Sequence, residues 1–232
     1  MNARQKTARL AGLLYLVIVV GAPFSFVFVP SRIVVSGDPL ATANNLQAFE
    51  SLFRWGILGG VVVATAQSLL PLALYKLLHR VNRTCAVLMV VLCVASVPLI
   101  LLGFVYELHA LSLLTGAEHL GAFSTEQLYA KMYLALDSFD NALFLGAPFF
   151  ALWLLPLGYL VYESGFIPRI LGLLLMLGCF GYLVDFFGHL FFPSYPELGI
   201  SMYFLALGVG EVLFCLWLLV KGVRTPQPSG AP

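Results

Sequence analysis

The sequence predicts an all-α fold, a polytopic membrane helix bundle with six transmembrane helices and both termini cytoplasmic. Three observations carry this reading. Of 232 residues, 61% are hydrophobic and only 10% charged, whereas soluble domains run at about 45–50% apolar and about 25% charged. Six apolar runs each reach the roughly 20 residues that a helix needs to cross a lipid core. What lies between them is too short for a sizeable soluble domain, so residues 1–224 are expected to form one transmembrane helical domain.

The first span, 10–29, follows Arg4, Lys6 and Arg9 and so has the outline of a signal peptide. It is longer than the roughly 7–15 apolar residues such a peptide uses, and its small-residue site Val20-Gly21-Ala22 runs straight into Pro23. A retained span kinked at Pro23 is expected. In the connection that follows, Asp38 is a good helix N-cap with Pro39 at the first helical position, where its missing N–H does no harm. A helix starting there is expected to run into span two, 55–78. On that span Gly56, Gly60 and Ala64 form a small-residue face that lets helix backbones approach.

Span three is 86–106, reached by a connection too short for anything but a hairpin turn. Before span four, 141–162, Ser-Thr-Glu-Gln at 124–127 is a capping box, so that span too is expected to be prolonged by a helix. A second hairpin leads to span five, 170–192, and a short connection to span six, 200–220. The tail 225–232 is Pro-rich, lacks apolar anchors and is expected to be disordered. Aromatic residues near span ends, among them Tyr159, Tyr162, Phe191, Phe192 and Tyr195, fit interfacial anchoring.

Basic residues set the orientation. Arg4, Lys6, Arg9, Lys76, Arg80, Arg83, Arg169, Lys221 and Arg224 lie on the side of the N-terminus, and Arg32, Arg54 and Lys131 on the other, nine against three. The larger count marks the cytoplasm. Cys85, Cys93, Cys179 and Cys215 fall in or beside apolar runs with no Cys-x-x-Cys, which points to buried thiols rather than disulfides or a metal site. A weak internal repeat pairs Leu69-Leu70-Pro71-Leu72 with Leu154-Leu155-Pro156-Leu157, and the spacing of Arg83 to Cys93 with that of Arg169 to Cys179. Duplicated helix pairs of this kind build many transporters.

Several short stretches occur in a telling order: RIVVSGD from Arg32 to Asp38, ATAN from Ala41 to Asn44, VNRT from Val81 to Thr84, GFIPRILG from Gly165 to Gly172, GYLVD from Gly181 to Asp185, then Gly210-Glu211 and LWLLVKG from Leu216 to Gly222. Together they resemble, over nearly the whole chain, a bacterial membrane family catalogued as domain of unknown function four-three-eight-six. The resemblance implies a six-span protein of the bacterial inner membrane. It implies no activity, substrate or cofactor.

Ionisable residues inside a span cost a few kcal/mol or more, so each needs a reason. Glu211 lies nine residues before Val220, roughly 13 Å into a core about 30 Å thick. It is either a proton or cation site or a carboxyl hydrogen-bonded across a helix interface, with Gly208 and Gly210 allowing the approach. Asp185 and His189, four apart, share one face of span five. They suit either two metal ligands or, better, one hydrogen bond that fixes a tautomer. Members of the resembled family commonly carry an amide where His189 stands, which weakens a metal site common to them. Asp137, Asp140 and Asn141 share a face at the outer end of span four, and Glu107 and His109 end span three.

The acids are one-sided. Asp38, Glu50, Glu107, Glu118, Glu126, Asp137, Asp140, Asp185 and Glu197 gather at the outer end, with His109, His119 and His189, and Glu163 alone lies on the inner side. An outward-facing polar cavity lined by Arg54, Asp140, Asp185, His189 and Glu211 would account for this and would attract cations or basic solutes. Arg54 is expected to pair with Asp140 or Asp185.

Three functions remain open: a membrane binder or transporter of a small cation or basic solute, favoured because Glu211 is deep; a metal-assisted intramembrane enzyme using Asp185, His189 and a third ligand such as His109 or Asp140; and a structural or signalling subunit. No cofactor motif is present. Besides the bilayer, a small-molecule or cation ligand is the expected partner; a net charge of +1 suggests no nucleic acid.

Reporter fusions test the orientation. Those after Arg83, Ile167 or Arg224 should read cytoplasmic and those at Ala43 or Gly121 external; an external reading at Arg224 with an internal one at Gly121 would reverse the bundle.

Overall fold

The computed structural model describes residues 3–114, 122–192 and 198–223, with side chains from 208 onward in the last stretch. The expectations for Glu118, His119, Tyr195, Glu197 and the tail concern residues outside these. The described chain is predominantly helical, with no strand among the described residues. In order, the helices are α1 (Ala3–Pro23), α2 (Val29–Ile33), α3 (Pro39–Ala48), α4 (Glu50–Leu78), α5 (Arg83–Leu114), α6 (Thr125–Leu152), α7 (Leu154–Glu163), α8 (Arg169–Phe191) and α9 (Leu198–Val220).

Five stretches are long and apolar enough to cross a membrane: Ala3–Ile33, Glu50–Leu78, Arg83–Leu114, Thr125–Glu163 and Arg169–Phe191. In α9 the apolar stretch described with its side chains is Gly208–Val220, shorter than a crossing needs. The chain is therefore an all-helical membrane protein with five such helices among the described residues. The first, third and fourth run past both boundaries that apolar runs alone set and the second past its start, while the fifth matches its expected bounds to one residue.

The caps are those the sequence indicated. Asp38 accepts a hydrogen bond from the Ala41 N–H at 2.9 Å, and Ser124 and Gln127 cap reciprocally at 3.3 and 3.0 Å. The second cap starts a helix that continues into the span. The first does not: α3 stops at Ala48, and Phe49 leaves helical geometry at φ −112°, ψ 27° before α4 begins. The expected prolongation of span two is therefore a separate helix, tied back to α2 where Asn45 donates to the Ile33 carbonyl at 3.2 Å and Thr42 bridges the Val35 N–H and the Asp38 carbonyl.

Prolines mark the other departures. Between Pro23 and Pro30 the helix opens into a wide π turn, Phe24–Phe28, in which the Val29 N–H reaches the Phe24 carbonyl five residues back. Each proline removes one N–H from the ladder, and widening the turn re-pairs part of it. Pro156 acts similarly on the fourth crossing, which breaks at Trp153 between α6 and α7. Pro71, its counterpart in the expected repeat, sits inside an unbroken α4.

The chain forms two compact units. The first comprises Met1–Leu16, Gln67–Ser96 and Ala147–Pro232, the second Val17–Ala66 and Val97–Gly146. In the first, α7 and α8 meet backbone to backbone: a Cβ on Gly172 would stand 2.5 Å from the Gly158 carbonyl oxygen, and one on Gly158 2.6 Å from that of Gly172. Only glycine fits where main chains touch. Gly12 sits likewise against the backbone of Leu219, and Gln5 closes this end by donating to the Lys221 carbonyl and accepting from the Val223 N–H. In the second unit Gly56 receives Val29 and Gly60 receives the Phe104 ring, so the small-residue face of span two does pack helices. Phe26, Phe104 and Phe139 stack at centroid distances of 5.6–6.3 Å. Cys93, Cys179 and Cys215 are buried free thiols and Cys85 is half-buried.

Candidate functional site

In the first unit, buried stripes on three helices converge on one carboxyl. On α1 the stripe is Ala8, Ala11, Gly12 and Tyr15, at the spacing of one helix face. On α9 it is Gly210, Phe214, Cys215 and Leu218, and Glu211 occupies the same face one turn before Phe214 and Cys215. On α8 it is Leu171, Gly172, Leu175, Gly178 and Cys179, with Tyr182 next in the series. Glu211 therefore points into the packed side of its helix, where two hydroxyls meet it.

Tyr15 donates to Oε2 of Glu211 at 2.6 Å, and Tyr182 donates to Oε1 at 3.4 Å. The first bond is short, as expected for a hydroxyl facing a carboxylate. Tyr15 is fully buried, and its ring is fixed between Trp153, 6.1 Å away, and the edge-on ring of Phe214 at 6.0 Å. Its hydroxyl cannot swing away without disturbing both rings. A second polar pair lies within electrostatic reach of Glu211 and Tyr15: the thiol of Cys93. The Gln67 amide donates to it at 3.3 Å, and Cys93 in turn faces the Gln67 carbonyl at 3.5 Å. Gln67 is 4% exposed. The site is thus a carboxyl, two phenols, a thiol and an amide enclosed by apolar helices, with no Lys or Arg paired to Glu211 among the described residues.

The other expected site residues divide between the units. Asp185 and His189 belong to the first. His189 donates from Nδ1 to the Asp185 backbone carbonyl at 3.0 Å and stands 3.4 Å from its carboxylate. The pair is thus one local contact fixing the ring, and among the described residues no three of His, Cys, Asp and Glu gather as a metal site would require. Arg54 and Asp140 belong to the second unit. The pairing expected for Arg54 is not the one found: its partner is Glu50, one turn earlier on α4, with Nη2 2.7 Å and Nε 2.8 Å from Oε1. A carboxylate four residues back on the same helix is met without bridging to another, and such an exposed pair contributes under about 1 kcal/mol. Asp140 is exposed, on the same face as Asp137, and the charges of Asp137, Asp140 and the buried Glu107 act on one another in series.

Sequence reasoning found Glu211 but neither tyrosine, nor the Gln67–Cys93 pair. A signal was there. Tyr15 and Tyr182 each fall in step with small or apolar stripes, and Gln67 is a lone amide in an apolar run.

A family model described as "Domain of unknown function (DUF4386)" matches residues 10–222. An uncharacterized protein of Archaeoglobus fulgidus is 39% identical over 98 residues, which cover 42% of this chain and 56% of that protein. The match thus spans little more than half the length of that curated relative. No solved structure matches.

Replacing Tyr15 by Phe should lower stability in detergent by about 1.5–3 kcal/mol, the range for a hydrogen bond to a charged group. Tyr182→Phe, with the longer bond, should cost less. Denaturant titration of the purified variants compares them, and equal losses would contradict the ranking.

Proposed function

We propose that this chain, which belongs to the family described as domain of unknown function DUF4386, binds a proton, small cation or basic solute at Glu211 and carries it across a membrane. The observation behind this is Glu211 itself: a carboxyl on an apolar helix, held at both oxygens by tyrosine hydroxyls and paired with no basic side chain among the described residues. An anion in that position needs a positive partner. The tyrosines stabilise the charged form for the moment when that partner leaves, and a proton or a protonated amine restores neutrality. Alternating between these two states is what a carrier requires.

The rest of the reading follows the same line. We take α9 as the sixth crossing, its 23 residues being a crossing's length, and place both termini in the cytoplasm of a bacterial inner membrane, on the nine-to-three count of basic residues. Asp185 with His189, in the same unit as Glu211, would draw cations toward that carboxyl. A metal-assisted enzyme has less support, because Asp185 and His189 supply two ligands and their contact is already local. A purely structural subunit would leave a carboxyl in an apolar helix without a task.

Glu211→Gln keeps a hydrogen-bonding side chain of similar shape and removes the titratable proton. In liposomes loaded with a pH-sensitive dye, the wild-type protein should pass protons under an imposed potential or solute gradient, and the variant should fold normally and pass none. Equal flux in both would reduce Glu211 to packing. A variant that fails to fold would point instead to a buried charge partner.

A further inference from the structure

We propose that the turn joining α7 to α8 binds the phosphate of an anionic phospholipid, held by the guanidiniums of Arg4 and Arg169, with the acyl chains lying along the exposed face of α8. This does not rest on the reading of Glu211.

Both arginines are tied to that turn through aromatic rings. Arg4, on α1, has its Cζ 4.9 Å from the ring centroid of Phe166, which stands in the turn itself. Arg169, the first residue of α8, lies 5.3 Å from that of Tyr162, near the end of α7. Phe166 and Arg169 are three residues apart, so at most roughly 11 Å separates their Cα atoms. The two cations therefore flank one short stretch of chain. Arg4 is kept there by its neighbour, because Gln5 donates to the Lys221 carbonyl and accepts from the Val223 N–H. The same clamp brings the exposed Lys221 to this end.

What these arginines lack is an anion. Arg54 shows the ordinary solution in this chain, a carboxylate at 2.7 Å. Arg4 and Arg169 make no ion pair among the described residues, and the exposed Glu163, next to Tyr162, takes neither. A guanidinium resting on a ring keeps its N–H fork for an oxyanion, which it binds with paired hydrogen bonds. Arg169 is exposed and Arg4 only half-buried, so both stay within reach of such a group.

Below them, α8 offers a surface for the chains of a lipid. Ile170, Leu173, Leu177, Phe180 and Val184 are all exposed and, spaced by three and four, form one apolar stripe. Arg169 stands at its head. In a bilayer the stripe meets acyl chains, and the phosphate layer falls where the stripe ends and Arg169 and Tyr162 begin. Basic side chains gathered between helix ends recognise anionic headgroups in this way. Free phosphate would use the arginines and leave the stripe without a role.

Thermal unfolding of the full chain in detergent tests this, with phosphatidylglycerol, phosphatidylcholine or sodium phosphate added at equal ionic strength. Phosphatidylglycerol should raise the wild-type midpoint by about 5 °C or more near saturation, and the other two should leave it nearly unchanged. Arg4→Gln and Arg169→Gln should each remove at least half of that increment. Phe166→Leu, which leaves every charge in place, should reduce it as well. Arg80→Gln, at an exposed basic residue of the same unit without a ring contact among the described residues, should keep it in full. An equal increment from phosphatidylcholine or inorganic phosphate, or an equal loss in Arg80→Gln and Arg169→Gln, would overturn the proposal. Native mass spectrometry of the wild type gives a check independent of the variants: phosphatidylglycerol should be retained in preference to phosphatidylcholine, and no preference would overturn it too.

Discussion

A carboxyl placed among apolar helices has to find its partners inside the protein, and the first unit is built around that constraint. Water is not there to solvate Glu211, so the phenols of Tyr15 and Tyr182 take its place. Bringing a phenol of α1 to 2.6 Å from a carboxylate of α9 requires the two helices to approach closely. Gly12, against the backbone of Leu219, permits it, and Gly210 lets α9 meet Leu174 of α8 in the same way. The Gln5 clamp on Lys221 and Val223 then fixes the register at the helix ends. Each is a local solution to one electrostatic demand.

The backbone faces the same demand wherever proline removes a donor. In lipid an unmet carbonyl costs several kcal/mol, and the chain answers differently at different prolines. Pro156 ends one helix and starts another at Trp153, whereas Pro71 stays within an unbroken α4. Between Pro23 and Pro30 the turn widens. Only there, among the described residues, does a buried hydroxyl remain without a partner. Among the buried side-chain atoms of the described residues the indole N–H of Trp217 is also unmet.

Much of the fold was legible because it follows from one-dimensional patterns. Apolar runs located the helices, and Asp38 and Ser124 located two helix starts to the residue. The end of α3 at Ala48 was not legible, because nothing in its composition marks Phe49 as the turn; the tether from Asn45 to Ile33 is a tertiary contact. The site divides in the same way. Glu211 stands out as an acid in an apolar run. Its partners lie 196 and 29 residues away along the chain, and only the packing of α1 and α8 against α9 identifies them. Arg54 shows the opposite error: helix length placed it level with distant acids, while the acid four residues back was the simpler partner.

As proposed, Glu211 changes its protonation state while held by Tyr15. Infrared difference spectroscopy on the reconstituted protein, stepped between acid and alkaline buffer, observes that event through the carbonyl stretch of a protonated carboxyl. A band should be present in the wild type, absent in Glu211→Gln and shifted in Tyr15→Phe. A spectrum identical in wild type and Glu211→Gln would contradict it.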